Sequence, residues 1–533
     1  MAERERVWWR DGVLYQVYPR SYADSDGDGV GDLRGLIDRL DHLAWLGVDG
    51  LWLNPTFPSP NADWGFDVAD YRDVHPDLGT LEDLDALIAA AGERDIRVIL
   101  DLVPNHTSDE HAWFVSARGD RDAPHRDWYV WREPAPDGGP PNNWQSIFGG
   151  GPAWELDKAS GQYYLHLFHR KQPDLDWWND AVRAEFEAIL RFWYDRGVAG
   201  FRIDVAHGIV KDRELRDNPA ARTDDVIQYR RLGQRPEFSM LRPEVHDVLR
   251  SWRALGARRD AEPVLIGETW VHDIERLAAF YGDGADELHL AFNFVFLEGD
   301  LDAATLAPVV AQIEALLPGG AWPVWTLGNH DVTRFPTRWG RGDERRVRVA
   351  LMLLLTLRGT PVLYYGDELG MPQAEIPADR VVDPVGLLRE DGSDARVGRD
   401  GARTPMPWTA APGAEFTAAG VEPWLPFGDL TANVADQRAD AGSVLHLVRD
   451  LIALRRADDA LRAGAYAELP APDGAWAYRR GERAAVALNL SDAPVTVPGL
   501  SGRVEIATDR ARDDEAVDDA VALGPWEGVV LIT

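Results

Sequence analysis

The chain has 533 residues, with 56 Lys+Arg against 89 Asp+Glu, a formal net charge of −33, and no cysteine. Without cysteine it can hold no disulfide, no thiolate metal site and no thiol nucleophile. So negative a surface repels phosphate backbones and argues against nucleic acid as a partner, while an apolar share of 45% is that of a globular protein.

The opening Met-Ala-Glu-Arg-Glu-Arg puts acids where a signal peptide has a basic stretch and an apolar core. The longest apolar run, residues 349–357, is far short of the roughly 20 residues that cross a bilayer. The expectation is a cytoplasmic protein with no membrane partner.

Taken in chain order, apolar patterning predicts a strand over 13–18, then a helix over 33–46 with Leu36, Ile37, Leu40, Leu43 and Ala44 at helical spacing, and a strand over 51–53. A helix over 81–91 and a strand over 97–103 follow. After an irregular stretch come a helix over 181–194 and a strand over 200–205. Helix–strand pairs recur at 245–255 and 264–267, 274–280 and 288–294, 303–317 and 323–327, and 346–357 and 362–365, before a last helix over 445–455. Eight strands alternating with helices predict the α/β class and a closed parallel (β/α)8 TIM barrel. An open doubly wound sheet is disfavoured, because no Gly-rich phosphate turn follows the first strand.

Residues 105–179, rich in Pro, Gly and Trp, are too long for a simple loop and read as a small domain inserted after strand three. The barrel itself is assigned to 1–104 and 180–460. From 461 to 533 the pattern turns to alternation with Gly and Pro turns, the mark of a C-terminal antiparallel β-sandwich.

In such a barrel, catalytic groups gather at the C-terminal ends of the strands. Strand three runs into Asp101-Leu-Val-Pro-Asn105-His106, strand four into Arg202-Ile-Asp204-Val205, strand five into Gly267-Glu268-Thr-Trp270, and strand seven into Gly328-Asn329-His330-Asp331. Each residue alone is well explained as an ordinary strand-end polar group. Four clusters of matching chemistry are not.

These clusters resemble the conserved regions of the α-amylase family of glycoside hydrolases, in its α-glucosidase and oligo-1,6-glucosidase branch. Gly65-Phe66-Asp67, Gln172-Pro-Asp-Leu175 and Ala402-Arg403-Thr-Pro-Met-Pro-Trp408 add branch-level motifs. The resemblance implies a retaining α-glucosidase acting on short oligosaccharides. Asp204 would be the nucleophile, Glu268 the general acid and base, and Asp331 the third carboxylate that grips sugar hydroxyls. It further implies that Arg202 supports Asp204, that His106 and His330 bind the sugar cleaved from the chain end, and that Phe66, Phe148 and Phe168 wall the pocket. Asp67 and Arg403 would pair to close its far end, with Arg399 as the alternative arginine. A sugar-transferring or isomerising relative, and an inactive binding subunit, are the competing functions.

Asp24-Ser-Asp26-Gly-Asp28-Gly-Val30-Gly-Asp32 presents carboxylates at alternate positions of a Gly-rich loop, with the Val30 carbonyl as a further oxygen, as Ca2+ requires. An EF-hand would have Glu where Gly35 stands. The motif matches instead a calcium loop of the oligo-1,6-glucosidase branch, which implies a structural ion.

Overall fold

A computed structural model of the chain describes residues 6–387 and 398–533. Its centre is a sheet of eight parallel strands: β1 (Leu14–Val17), β2 (Gly50–Leu53), β3 (Arg97–Leu102), β4 (Gly200–Ile203), β5 (Val264–Gly267), β6 (Leu290–Ala291), β7 (Val324–Thr326) and β8 (Thr360–Tyr364). Hydrogen bonding runs β7-β8-β1-β2-β3-β4-β5-β6, so among the described residues the ring is paired everywhere except between β6 and β7. The expected barrel is present. Its strands are buried along nearly their whole length, which is why they read as continuous apolar runs rather than alternation.

Two elements differ from the sequence reading. The strand expected over 288–294 pairs only at Leu290–Ala291, because the chain turns at Asn293 into a short helix at Val295–Glu298. The helix expected over 33–46 breaks at Arg39 into Leu33–Asp38 and Leu40–Leu46. Arg39 leaves helical geometry to lay its guanidinium 4.4 Å from the Trp408 ring and to donate to the Glu415 carbonyl at 2.6 Å. Tertiary contact overrides the local period there.

Between β3 and β4, strands Trp131–Arg132, Trp154–Asp157 and Gln162–Leu165 form a three-stranded antiparallel sheet. The isolated bridge His106–Asp174 ties this segment back to the end of β3, and Tyr129–Leu175 closes the segment on itself. Buried Lys211, beyond β4, reinforces the tie by pairing with Asp174 at 2.9 Å and donating to Asn105. The C-terminal strands form an antiparallel six-stranded sheet and a separate two-stranded one. This region packs on helix Glu344–Thr356, whose residues from Val349 to Thr356 are all buried. The barrel covers one side of that helix and the C-terminal sheet the other, with a Gly528 Cβ position only 2.9 Å from Met352 Sδ. Burial on both faces explains the long apolar run in the sequence.

Candidate active site

Strand register builds the site. Asp101 stands opposite Arg202, and Ile203 opposite Gly267, so Asp204 and Glu268 leave β4 and β5 at the same level of the ring. Arg202 is the hub. Its Nη1 donates to Asp204 Oδ1 at 2.7 Å and Asp101 Oδ1 at 3.2 Å, and its Nη2 reaches Glu268 Oε2 at 2.8 Å. The Trp52 ring lies 5.2 Å below the guanidinium.

Three buried carboxyls against one cation leave the cluster short of positive charge, so it retains protons. Burial, then Glu268, push the Asp204 carboxyl well above the usual carboxylate range, with Arg202 pulling the other way. Burial likewise pushes Asp101 up to about 7, against Arg202 and helped by Glu268. Asp204 and Glu268 are close enough to share a hydrogen bond, which adds to the upward push on Asp204.

Glu268 is held from three sides. Besides its ion pair with Arg202 it accepts from Val205 N–H at 2.9 Å through Oε2 and from Trp270 Nε1 at 2.8 Å through Oε1. Val205 reaches it from a φ of +47°, a left-handed backbone that costs a β-branched residue about 1–3 kcal/mol.

Asp331 faces this pair from the end of β7. Burial opposes its charge, yet the guanidiniums of Arg399 and Arg403 beside it hold its carboxyl well below the usual range. Arg399 Nη1 and Arg403 Nη2 approach its Oδ1 at 3.2 and 3.1 Å, and His330 Nε2 lies 3.2 Å from Oδ2. Burial keeps His330 neutral. Gln16 Nε2 and Asn54 Nδ2 sit at 2.9 and 3.2 Å from its Nδ1. With donors on Nδ1, the ring carries its hydrogen on Nε2, toward Asp331 and the pocket.

Phe66 stacks on His330 with ring centroids 5.1 Å apart. His106, also kept neutral by burial, lies 3.0 Å from the Phe66 carbonyl and packs against Phe168 at 5.5 Å. Phe168 in turn meets Phe148 at 5.5 Å, and the Arg399 guanidinium lies 5.1 Å from the Phe148 ring. The inserted segment therefore brings both phenylalanines up against His106 and Arg399.

The expected pair of Asp67 with Arg403 does not form. Asp67 is fully buried and spends its carboxylate on Ser59 Oγ at 2.7 Å, Ala62 N–H at 2.8 Å and Asp63 N–H at 2.9 Å. Asp63 takes its place, pairing with Arg399 Nη2 at 2.6 Å and accepting from Gln172 Nε2 at 3.0 Å. The cause is local: Asn61, Trp64 and Gly65 all adopt positive φ, which curls the loop so that Asp67 faces inward and Asp63 faces the arginine. Arg403 contributes through Asp331 instead and donates to the His330 carbonyl at 2.9 Å. A second carboxylate, the buried Asp383, holds Arg399 through Nε at 3.0 Å and Nη2 at 2.7 Å. Gln16, Asn54, Asp63 and Asp383 are absent from the sequence reading. Gln16 and Asn54 carry a usable signal, as polar residues near the ends of β1 and β2.

The acidic loop lies apart from these residues. Asp24, Asp26 and Asp28 place carboxylate oxygens within 4.8 Å of one another, a hard-oxygen donor set. Burial and then the Asp28 charge push Asp26 upward. Val30 donates its N–H to Asp28 Oδ1 at 2.7 Å. Asp32 stands outside the cluster, accepting from Ser25 N–H and Oγ at 2.7 and 2.8 Å and capping the following helix at Gly35 N–H.

Residues 16–464 match the family model for the α-amylase catalytic domain. The chain is 40% identical over 548 residues to a probable α-glucosidase of Rhizobium meliloti (strain 1021), covering 99% of this chain and 97% of that protein. It is 36% identical over 531 residues to an oligo-1,6-glucosidase of Heyndrickxia coagulans, covering 92% and 93%. Among solved structures, the α-glucosyl transfer enzyme XgtA superposes with a TM-score of 0.92 at 39% identity, over 99% of this chain and 100% of that one. With eight parallel strands in the sheet and these matches across nearly its whole length, the chain belongs to the α-amylase family of glycoside hydrolases.

Proposed function

We propose that this protein is an exo-acting retaining α-glucosidase that hydrolyses terminal α-glucosidic bonds, α-1,4 or α-1,6, of short oligosaccharides. The supporting observation is the single guanidinium of Arg202, whose two terminal nitrogens hold Asp204 and Glu268 side by side. Retention needs carboxyl groups about 5–5.5 Å apart, near enough for one to ionise while the other stays protonated, and a common arginine supports that arrangement.

In the first half-reaction Asp204 attacks the anomeric carbon as the bond to the leaving oxygen breaks. Glu268 gives that oxygen its proton, and a glucosyl ester forms on Asp204. In the second, Glu268 takes a proton from water, the water oxygen bonds to the anomeric carbon, and Asp204 departs as carboxylate. Asp331 remains anionic and accepts hydrogen bonds from sugar hydroxyls, while neutral His106 and His330 orient the ring against Phe66. Asp63, Arg399 and Asp383 close the pocket beyond one glucosyl unit, which limits cleavage to chain ends. The first glucose released is then the α-anomer, read by proton NMR, and Asp204→Asn abolishes turnover of p-nitrophenyl α-glucoside. A β-anomer as the first product, or an active Asp204→Asn enzyme, refutes the assignment.

Similarity to an α-glucosyl transfer enzyme favours one second reading, capture of the same intermediate by a sugar instead of water. Oligosaccharides accumulating from maltose in place of glucose would establish it. The oxygens of Asp24, Asp26 and Asp28 would hold Ca2+, with the ion supplying charge neutralisation that stiffens the loop and taking no part in catalysis.

A further inference from the structure

Glu268 carries its hydrogen bonds unevenly. Oε2 accepts from Val205 N–H at 2.9 Å and is ion-paired with Arg202 Nη2 at 2.8 Å, whereas Oε1 accepts from Trp270 Nε1 at 2.8 Å. With Oε2 doubly engaged, Oε1 is the oxygen on which the proton for the leaving group has to sit. It is also the one the indole N–H occupies. The indole is fixed there by its stack on Phe294, with centroids 4.2 Å and planes 14° apart. Among the described residues, Asp204 receives a side-chain nitrogen donor from Arg202 only, at 2.7 Å.

Each donor on a carboxylate favours its ionised form. Two N–H donors on Glu268 against one on Asp204, with Arg202 paired to both, therefore bias a proton shared by the pair toward Asp204. That bias opposes the first half-reaction, in which Asp204 is bare and Glu268 protonated. It favours the second, in which Asp204 is esterified and Glu268 is the base.

We propose that Trp270 is a positioning residue that sets this balance: its indole N–H on Glu268 Oε1 speeds breakdown of the glucosyl ester at the expense of its formation. During ester formation the Oε1 proton passes to the glycosidic oxygen as the C1–O bond breaks and the C1–Asp204 bond forms. Before that transfer the protonated Oε1 is a poorer acceptor for the indole. During breakdown Oε1 receives the proton of the attacking water, and the indole supports the bare oxygen until it arrives. The inference rests on the glycosidase reading above.

Trp270→Phe keeps the ring stack and deletes the donor. The alkaline limb of kcat/KM for maltose or isomaltose then moves up by about one pH unit, a tenfold change in an ionisation constant for one lost charge-assisted hydrogen bond. For p-nitrophenyl α-glucoside, whose good leaving group makes ester breakdown limiting, kcat falls several-fold and the burst of nitrophenol grows. Phe294→Leu, which keeps the N–H but releases the ring, gives smaller changes in the same directions and carries the test should Trp270→Phe not fold. An unmoved limb, with kcat and kcat/KM falling together, overturns the proposal. Asp204→Asn separates the two levels: if that variant is dead and the limb in Trp270→Phe is unmoved, only this inference fails; if it is active, the glycosidase reading fails with it.

Discussion

Asp63 and Asp67 lie four positions apart in one loop, and exchanging each for asparagine separates closing the pocket from building the loop. Asp63→Asn removes a charge that meets Arg399 at 2.6 Å, where the Asp63 side chain is 4% and the Arg399 side chain 10% exposed. Breaking a buried ion pair costs about 3–5 kcal/mol. Arg399 keeps its two contacts with Asp383, at 2.7 and 3.0 Å, and one with Asp331 at 3.2 Å. That retained pairing lowers the expected loss to about 2–3 kcal/mol, or roughly 30- to 150-fold in kcat/KM for isomaltose. The melting temperature falls by a few degrees as well, because the lost pair also supports the folded state. Asp67→Asn lowers stability without the kinetic loss. An amide can keep the Ser59 and Asp63 donors on its oxygen, but it turns an NH2 toward the Ala62 N–H and so costs about 1–3 kcal/mol of stability. Its melting temperature falls by several degrees while kcat/KM of the folded enzyme stays close to wild type. Steady-state kinetics and thermal melts on the two proteins decide the matter. Equal kinetic losses, or the larger loss in Asp67→Asn, would refute the assignment of Asp63 to the pocket.

Three further expectations concern stability and metal. Asp367 is completely buried, and burial pushes its carboxyl up to about 7, with Arg334 pulling it down. A raised acid contributes stability in full below its unfolded value near 4 and loses it as pH climbs through about 7. Melting curves of Asp367→Asn should therefore fall less steeply between pH 5 and 8 than those of wild type; parallel slopes would exclude the effect. Tyr478 Oη and Thr356 Oγ1 meet at 2.6 Å where the C-terminal sheet joins the barrel, so Tyr478→Phe should cost about 1–2 kcal/mol in denaturant unfolding without changing kcat. Added Ca2+ should raise the melting temperature and EDTA lower it, with kcat unaffected, and Asp26→Ala should erase the difference. A calcium response that survives Asp26→Ala would locate the ion elsewhere.

Most of the barrel was legible because buried parallel strands and amphipathic helices differ in length and period. The failures occurred where a single distant contact decided the backbone. Arg39 breaks its helix for Trp408 and Glu415, residues far along the chain that no local pattern could name. The strand-end motifs foretold that Asp204, Glu268, Asp331, His330 and Arg202 would come together, because register in a parallel barrel carries sequence position directly into space. Asp63 stayed hidden for the opposite reason. It lies in a loop whose direction depends on three positive φ angles, and one of these falls on Trp64, a residue type that gives no warning of it.

Asp383 grips both the side chain and the backbone N–H of Arg399, the latter at 2.6 Å, so positions 383 and 399 are clamped together by one buried acid. A substitution that loosens this clamp frees the backbone and the guanidinium of Arg399 at once, because a single carboxylate fixes both. Under the function proposed above, the boundary of the glucose seat is therefore only as firm as Asp383.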